Sequence, residues 1–129
     1  MNGYRARLVD PLVAQYLADL PAVALVGPRA SGKTTTATRQ ARSVLRLERP
    51  AEAAAVIADP AAALADLPEP VLVDESQEAS HVLGAVKRAC DADPRPGRFI
   101  LTGSVRAEMD VRTWLSTGRV TRISMFPIG

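Results

Sequence analysis

Residues 22–36 read AVALVGPRASGKTTT. Five apolar residues run up to Gly27, which is the pattern of a strand that is buried on both faces of a parallel sheet and ends in a tight turn. The segment from Gly32 to about Arg42 is predicted to be the helix that follows. A strand that leads through a glycine-rich turn into a helix is typical of the parallel α/β folds.

The rest of the chain alternates in the same way between predicted strands and helices. Further strands are predicted at 43–48, 71–75, 98–104 and 119–126, and helices at 11–20, within the alanine-rich segment 51–70, at 78–90 and at about 105–116. This alternation predicts a three-layer α/β/α fold with a mainly parallel sheet of about five strands. Ligands of such sheets bind beyond the carboxyl ends of the strands. We therefore expect Gly27, the pair Asp74–Glu75 and residues 102–104 to gather at one edge.

The turn after the first strand has the chemistry of a phosphate-binding loop. Residues 27–34 match the pattern G-x-x-x-x-G-K-[ST] in full. The glycines let successive N–H groups point at phosphate oxygens, and the following helix adds the positive end of its dipole. Lys33 is predicted to reach the outer phosphates and Thr34 to bind magnesium; the alternative is a glycine-rich turn with a surface lysine. The predicted nucleotide-binding residues are Gly27, Pro28, Arg29, Ala30, Ser31, Gly32, Lys33, Thr34 and Thr35.

The strand VLVDE, residues 71–75, ends in two acids. Magnesium bound to a nucleotide keeps several waters and takes few protein ligands. One carboxylate at a strand end, here Asp74, can hold such an ion through water. Glu75 is the next residue along the strand, so its side chain points the opposite way from that of Asp74. It is predicted to orient or deprotonate an attacking water. The alternative for both residues is an acidic turn between a strand and a loop.

Two further polar residues are candidates for catalysis. Thr102 ends the strand at 98–104, and its hydroxyl is predicted to bond the water or the γ-phosphate; Ser104 is the alternative, unless it caps the next helix. Arg119 precedes the last strand and is predicted to stabilise transition-state charge on the nucleotide of a neighbouring subunit. That role would make the protein a homo-oligomer, whereas the alternative for Arg119 is an exposed arginine at a strand edge.

The composition excludes several classes of protein. Cys90 is the single cysteine, so there is neither an intrachain disulfide nor a cysteine zinc site. The first ten residues lack the apolar core of a signal peptide, and no apolar run approaches the ~18 residues of a membrane span. We therefore predict a cytoplasmic protein with no membrane partner. Fourteen arginines and two lysines against fourteen acidic residues give a net charge of +2. The basic residues are scattered along the chain, and no motif supports binding to nucleic acid.

Taken together, the motifs resemble the prokaryotic AAA+-like ATPases of the AAA domain 14 type. In that family the phosphate loop is followed by an aspartate-glutamate strand with a nearby glutamine, here Asp74, Glu75 and Gln77. A Leu-Thr-Gly-Ser strand end comes next, here residues 101–104, and then a Gly-Arg pair, here residues 118–119. The resemblance covers nearly the whole chain.

The resemblance implies an ATPase domain with ATP and Mg²⁺ as cofactors. It assigns the Walker A motif to residues 27–34 and the Walker B motif to Asp74 and Glu75, and it makes Thr102 a sensor-like residue and Arg119 a candidate arginine finger. The sequence departs from the family at Ser76, which replaces an aliphatic residue, and in the segment after residue 104. Family members also continue into a second domain. We therefore expect residues 1–129 to be one truncated P-loop ATPase domain without a helical lid.

Three functions remain at this point. The first is Mg²⁺-dependent ATP hydrolysis, with Lys33 on the phosphates, Asp74 on the metal and Glu75 activating water. The second is a nucleotide-binding module with little or no turnover because the C-terminal part is missing. The third is a small-molecule kinase, which also uses a phosphate loop, although the sequence offers no obvious acceptor pocket or basic lid. No Asn-Lys-x-Asp motif for reading guanine occurs.

Overall fold

A five-stranded parallel sheet forms the centre of the protein. The computed structural model describes residues 2–27, 33–74, 81–103 and 120–124. The strands are β1 (Ala22–Val26), β2 (Ser43–Arg46), β3 (Val71–Asp74), β4 (Phe99–Gly103) and β5 (Val120–Ser124). Their order across the sheet is β2-β3-β4-β1-β5, and every neighbouring pair is parallel. The predicted α/β fold with a parallel sheet of about five strands is confirmed.

Helices connect the strands and cover both faces of the sheet. They are α1 (Asn2–Asp19), α2 (Lys33–Gln40), α3 (Pro50–Ala58), α4 (Pro60–Leu64) and α5 (His81–Ala92). The helices predicted after β1 and β3 are confirmed, and the alanine-rich segment forms two short helices. No helix in this part of the chain has the length and apolar character needed to cross a membrane. The helix predicted at 105–116 lies outside the described residues.

The first helix is longer than predicted. The sequence predicts that Asp10 caps the helix and that Pro11 is its first residue, but α1 begins at Asn2 and contains Pro11. The prediction is wrong because the helix continues through Pro11 toward the N-terminus, although a proline inside a helix costs about 3 kcal/mol. Val13 and Leu17, one turn apart on α1, are both buried in the core.

Side chains of each central strand alternate between two separate apolar cores. On β4, Phe99 and Leu101 pack in the core beneath α3, α4 and α5, whereas Ile100 packs in the core beneath α1 and α2. The strands β1 and β3 alternate in the same way. Because helices cover both faces, the central strands are apolar at nearly every position, and the polar exceptions, Asp74 and Thr102, lie near the carboxyl ends of β3 and β4. This explains the continuous apolar runs in the sequence and establishes the predicted three layers.

Proline and aspartate set the boundary between the two short helices. Pro60 is the first residue of α4, and the Asp59 carboxylate accepts a hydrogen bond of 3.1 Å from the Ala62 N–H. A side-chain oxygen at this position satisfies one of the N–H groups that a helix start leaves without a partner. The chain therefore turns between α3 and α4 and can follow the surface of α5.

An arginine fixes the amino-terminal edge of the sheet. The Arg98 Nε donates to the Glu69 carboxylate at 2.8 Å, and its Nη1 donates to the carbonyls of Ala89 at 2.6 Å and Asp93 at 3.0 Å. Arg95 pairs with the same Glu69 carboxylate at 3.0 Å. These contacts join the end of α5, the loop before β3 and the start of β4, so the three segments hold one another in position.

Candidate functional site

The strands β1, β4 and β3 end together at the carboxyl edge of the sheet. The register places Val26 beside Gly103 and Val73 beside Leu101, and the Gly27 N–H donates to the Gly103 carbonyl at 3.2 Å. Along this edge the order of the strand ends is β1, β4, β3. The predicted gathering of strand ends is thus confirmed for the four members that the structure describes, which are Gly27, Asp74, Thr102 and Gly103.

A buried hydrogen bond connects two of these strand ends. The Thr102 hydroxyl donates to the Asp74 Oδ1 at 2.5 Å. Asp74 is 3% exposed and Thr102 is 1% exposed. Burying a carboxylate is unfavourable unless it is hydrogen-bonded, and a hydroxyl that donates to a charged oxygen makes a short, strong bond. The bond therefore holds the Asp74 carboxylate in one orientation.

This contact differs from the role predicted for Thr102. The sequence predicts that its hydroxyl bonds a water or the γ-phosphate, whereas the structure directs the hydroxyl to Asp74. A threonine hydroxyl has a single proton to donate. With that proton on Asp74, the primary effect of Thr102 is on the carboxylate beside it. Nothing in the local sequence around residue 102 indicates this pairing, because the two residues are 28 positions apart in the chain.

Asp74 and Thr102 project from the face of the sheet that α1 and α2 cover. Strand side chains alternate, and Asp74 follows Leu72 by two residues just as Thr102 follows Ile100. Leu72 and Ile100 both lie in the core beneath α1 and α2. Helix α2 begins at Lys33 and packs on β4, β1 and β3. The carboxylate and the hydroxyl are therefore on the same side of the sheet as the helix that follows the predicted phosphate loop.

The remaining predicted site residues are described to different extents. Gly27 is buried directly after β1, while Lys33 and Thr34 are the first two residues of α2 and Thr35 is exposed on it. The other predicted residues of this site lie outside the described part of the chain and stay predictions. They are Pro28, Arg29, Ala30, Ser31, Gly32, Glu75 and Arg119, together with Ser104 and Gln77.

One more threonine close to Lys33 in the chain was not predicted as a site residue from the sequence. Thr36 lies on α2, is completely buried, and its hydroxyl has no hydrogen-bond partner within the part of the chain that the structure describes. A buried hydroxyl without a partner costs about 1–3 kcal/mol. Its only signal in the sequence is its place as the last of three consecutive threonines after Lys33. The buried Thr36 hydroxyl is therefore a locally unfavourable group on α2, three residues after Lys33.

The carboxylate at this edge is a suitable ligand for a magnesium ion. Mg²⁺ prefers oxygen ligands, keeps several waters and takes only one or two carboxylates when it is bound with phosphates. Asp74 supplies one carboxylate, whose orientation the Thr102 hydroxyl fixes. No group of three or more histidine, cysteine, aspartate or glutamate side chains suited to a metal ion occurs within the described ranges. The residues at this edge thus fit a magnesium ion that a nucleotide brings with it.

Comparison with known proteins identifies the family. A family model described as an AAA domain matches residues 19–129. The uncharacterized proteins Mb2031c of Mycobacterium bovis and Rv2008c of Mycobacterium tuberculosis are each 31% identical to this chain over 93 residues, which are 69% of this chain and 21% of each relative. The match therefore spans about a fifth of the length of these curated relatives. The chain belongs to the AAA domain family and is a nucleotide-binding, ATPase-like domain.

Proposed function

We propose that residues 1–129 form an ATP-binding domain that hydrolyses ATP with the help of Mg²⁺. The observation that carries this proposal is the buried Asp74–Thr102 pair, which lies at the sheet edge where Gly27 leaves β1 and on the face covered by α2. The match to an AAA domain supports it.

The phosphates bind between the end of β1 and the start of α2. The N–H groups of residues 27–32 and the positive end of the α2 dipole attract the phosphate oxygens, and the Lys33 ammonium neutralises charge on the outer phosphates. Asp74 ends β3, which is two strand positions from β1 because β4 lies between them. Two such steps separate the strand ends by about 10 Å. That distance leaves room for the outer phosphates and a hydrated ion.

Thr34 and Asp74 hold the ion, and Thr102 positions Asp74. A bound Mg²⁺ neutralises the negative charge that develops on the phosphates. The Thr102 hydroxyl orients the carboxylate before the nucleotide arrives, so little reorganisation is needed on binding. We assign Thr102 this positioning role in place of a direct contact with the γ-phosphate.

Glu75 and Arg119 complete the proposed reaction. Glu75 follows Asp74 directly, and we propose that its carboxylate orients the attacking water and accepts its proton. Arg119 immediately precedes β5, which is an edge strand within the described sheet. We propose that this arginine stabilises charge on a nucleotide held by a neighbouring copy of the chain, which would make the active form a homo-oligomer.

Calorimetric titration tests nucleotide binding. We expect Mg·ATP to bind clearly, Mg·GTP to bind more weakly, and Lys33→Ala to weaken Mg·ATP at least ~10-fold, because a charge-assisted contact to phosphate is lost. Lys87→Ala is the matched control, since Lys87 is the only other lysine and is exposed on α5. Equal affinities for wild type and Lys33→Ala would contradict the proposed phosphate site.

A second titration tests the positioning role of Thr102. Thr102→Val keeps the shape of the side chain and removes the hydroxyl that donates to Asp74. We expect the Mg²⁺ concentration for half-maximal ATP binding to rise about 3- to 10-fold, which corresponds to a loss of about 0.7–1.4 kcal/mol and lies within the range for one ordinary hydrogen bond. Thr102→Ser should restore the wild-type value.

The same titrations distinguish the two roles considered for Thr102. If the hydroxyl positions Asp74, Thr102→Val weakens Mg·ATP and Mg·ADP to a similar extent, because both nucleotides need the ion. If the hydroxyl contacts the γ-phosphate, Mg·ADP binding is unchanged and only Mg·ATP is weakened. The second result would overturn the positioning role while leaving the nucleotide site intact.

A further inference from the structure

A cavity lies far from the proposed nucleotide site. Its volume is about 290 Å³, and it is bounded by α4, α5 and the start of β4. Phe99, the first residue of β4, lines it, and Phe99 packs in the core beneath α3, α4 and α5. Asp74 and Thr102 lie at the opposite edge of the sheet and on the opposite face. The cavity is therefore a separate site that the nucleotide does not occupy.

Most residues that line the cavity are apolar. The space is open because several of them are alanines, whose side chains are short. Alanines line it from the sides of α4 and α5, and Phe99 lines it from the start of β4. A volume of this size is close to the lower end of the range for small-ligand pockets, which begins near 300 Å³. The apolar lining residues are Ala61, Leu64, Ala65, Ala85, Ala89 and Phe99.

Two arginines also line the cavity, and they are not equivalent. Arg98 is occupied: it bonds the Glu69 carboxylate and the carbonyls of Ala89 and Asp93, and its guanidinium lies 5.2 Å from the centre of the Phe99 ring. Its guanidinium is therefore already engaged by groups of the protein. The anionic group to which this arginine donates is the Glu69 carboxylate of the protein itself.

Arg88 differs from Arg98 in its surroundings. It is exposed on α5 and makes neither an ion pair nor a hydrogen bond with any residue in the described ranges. Its guanidinium lies back along the helix over Gly84, where an added Cβ would be 3.2 Å from the Arg88 Nη1. The cavity thus combines mostly apolar lining residues with Arg88, whose guanidinium pairs with no residue in the described ranges.

We propose that this cavity binds a small organic carboxylate with an apolar body. The planar guanidinium of Arg88 matches a carboxylate in both charge and geometry, since it can donate two parallel hydrogen bonds. The apolar body fills the space between the alanines of α4 and α5 and contacts the Phe99 ring. The single charge of the Arg88 guanidinium favours an anion with one negative charge. This binding site goes beyond the proposed ATPase function and does not depend on it.

An NMR titration of the full chain with 3-phenylpropionate tests the proposal, with 3-phenylpropionamide as a neutral probe of the same shape. We expect the carboxylate to shift the backbone amide signals of the wall residues saturably at millimolar concentrations. It should bind about 10-fold more tightly than the amide, as expected for a charge-assisted hydrogen bond. Arg88→Gln should reduce carboxylate affinity to that of the amide and leave the amide unaffected.

Two further variants make the result specific. Lys87→Gln removes a positive charge from the adjacent, exposed position of the same helix, and Lys87 does not line the cavity, so we expect wild-type affinity. Ala61→Leu fills the cavity from an exposed position on α4 and should abolish binding of both probes, with the remaining spectrum unchanged. Equal binding of carboxylate and amide, wild-type affinity in Arg88→Gln, or no saturable shift with either probe would overturn the proposal.

Discussion

Replacing Glu75 by glutamine is expected to slow steady-state phosphate release from Mg·ATP at least ~100-fold. Glutamine keeps the size of the side chain but cannot accept a proton, so an attacking water would no longer be activated. Affinity for Mg·ATP should change less than about threefold, because the proposed role of Glu75 lies in the reaction and not in holding the phosphates. Phosphate release and calorimetric affinity, measured on the same preparations, provide the two values.

The control for this experiment is the same substitution at Glu48. Glu48 follows β2 at the carboxyl side of the sheet and is exposed, so Glu48→Gln should hydrolyse ATP at the wild-type rate. Equal, near-zero rates in wild type and Glu75→Gln, together with tight nucleotide binding, would contradict the ATPase proposal. That result would instead favour a nucleotide-binding module with little or no turnover.

Replacing Ile100 by alanine is expected to lower the free energy of unfolding by about 3–4 kcal/mol. Ile100 is completely buried in the middle of β4, which is paired with β1 on one side and β3 on the other. Alanine would leave a cavity in the core beneath α1 and α2, where neighbouring strands restrict collapse. Ile100→Val removes a single methylene group and should cost about 1 kcal/mol.

Urea unfolding monitored by circular dichroism measures this effect. Ile57→Ala is the matched control, because Ile57 is 53% exposed on α3 and its replacement should change the free energy of unfolding by less than about 0.5 kcal/mol. The slope of the unfolding free energy against urea should be the same in all variants, so that the midpoint reports stability alone. A cost for Ile100→Ala no larger than that for Ile57→Ala would contradict the central position of β4.

The layers of the fold could be predicted from the sequence because the central strands β1, β3 and β4 are covered on both faces. Such a strand must be apolar throughout, and its length and its end are then visible as an apolar run that stops at a polar residue. The run that ends at Gly27 and the run that ends at Asp74 both show this. The start of α1 could not be predicted, since Asp10 followed by Pro11 is a local pattern typical of a helix start, whereas α1 continues through Pro11.

The order of the strands and the contacts between them could not be predicted from local pattern. Strand β4 follows β3 in the chain, yet it lies between β3 and β1, and this order depends on how the crossover helices pack. The hydrogen bond from Thr102 to Asp74 follows from it, because adjacent strand ends bring the two side chains together. The cavity beside Arg88 likewise requires α4 to lie against α5, which no short stretch of sequence specifies.

The position of β4 between β1 and β3 also determines which properties of the carboxyl edge of the sheet can be changed by substitution. The gap between Gly27 and Asp74 is spanned by main-chain hydrogen bonds from β1 to β4 and from β4 to β3. These bonds are the same for every amino acid except proline. Substitutions at the strand ends can therefore change which side chain contacts a bound molecule. They do not change the distance between the strand ends that carry these side chains.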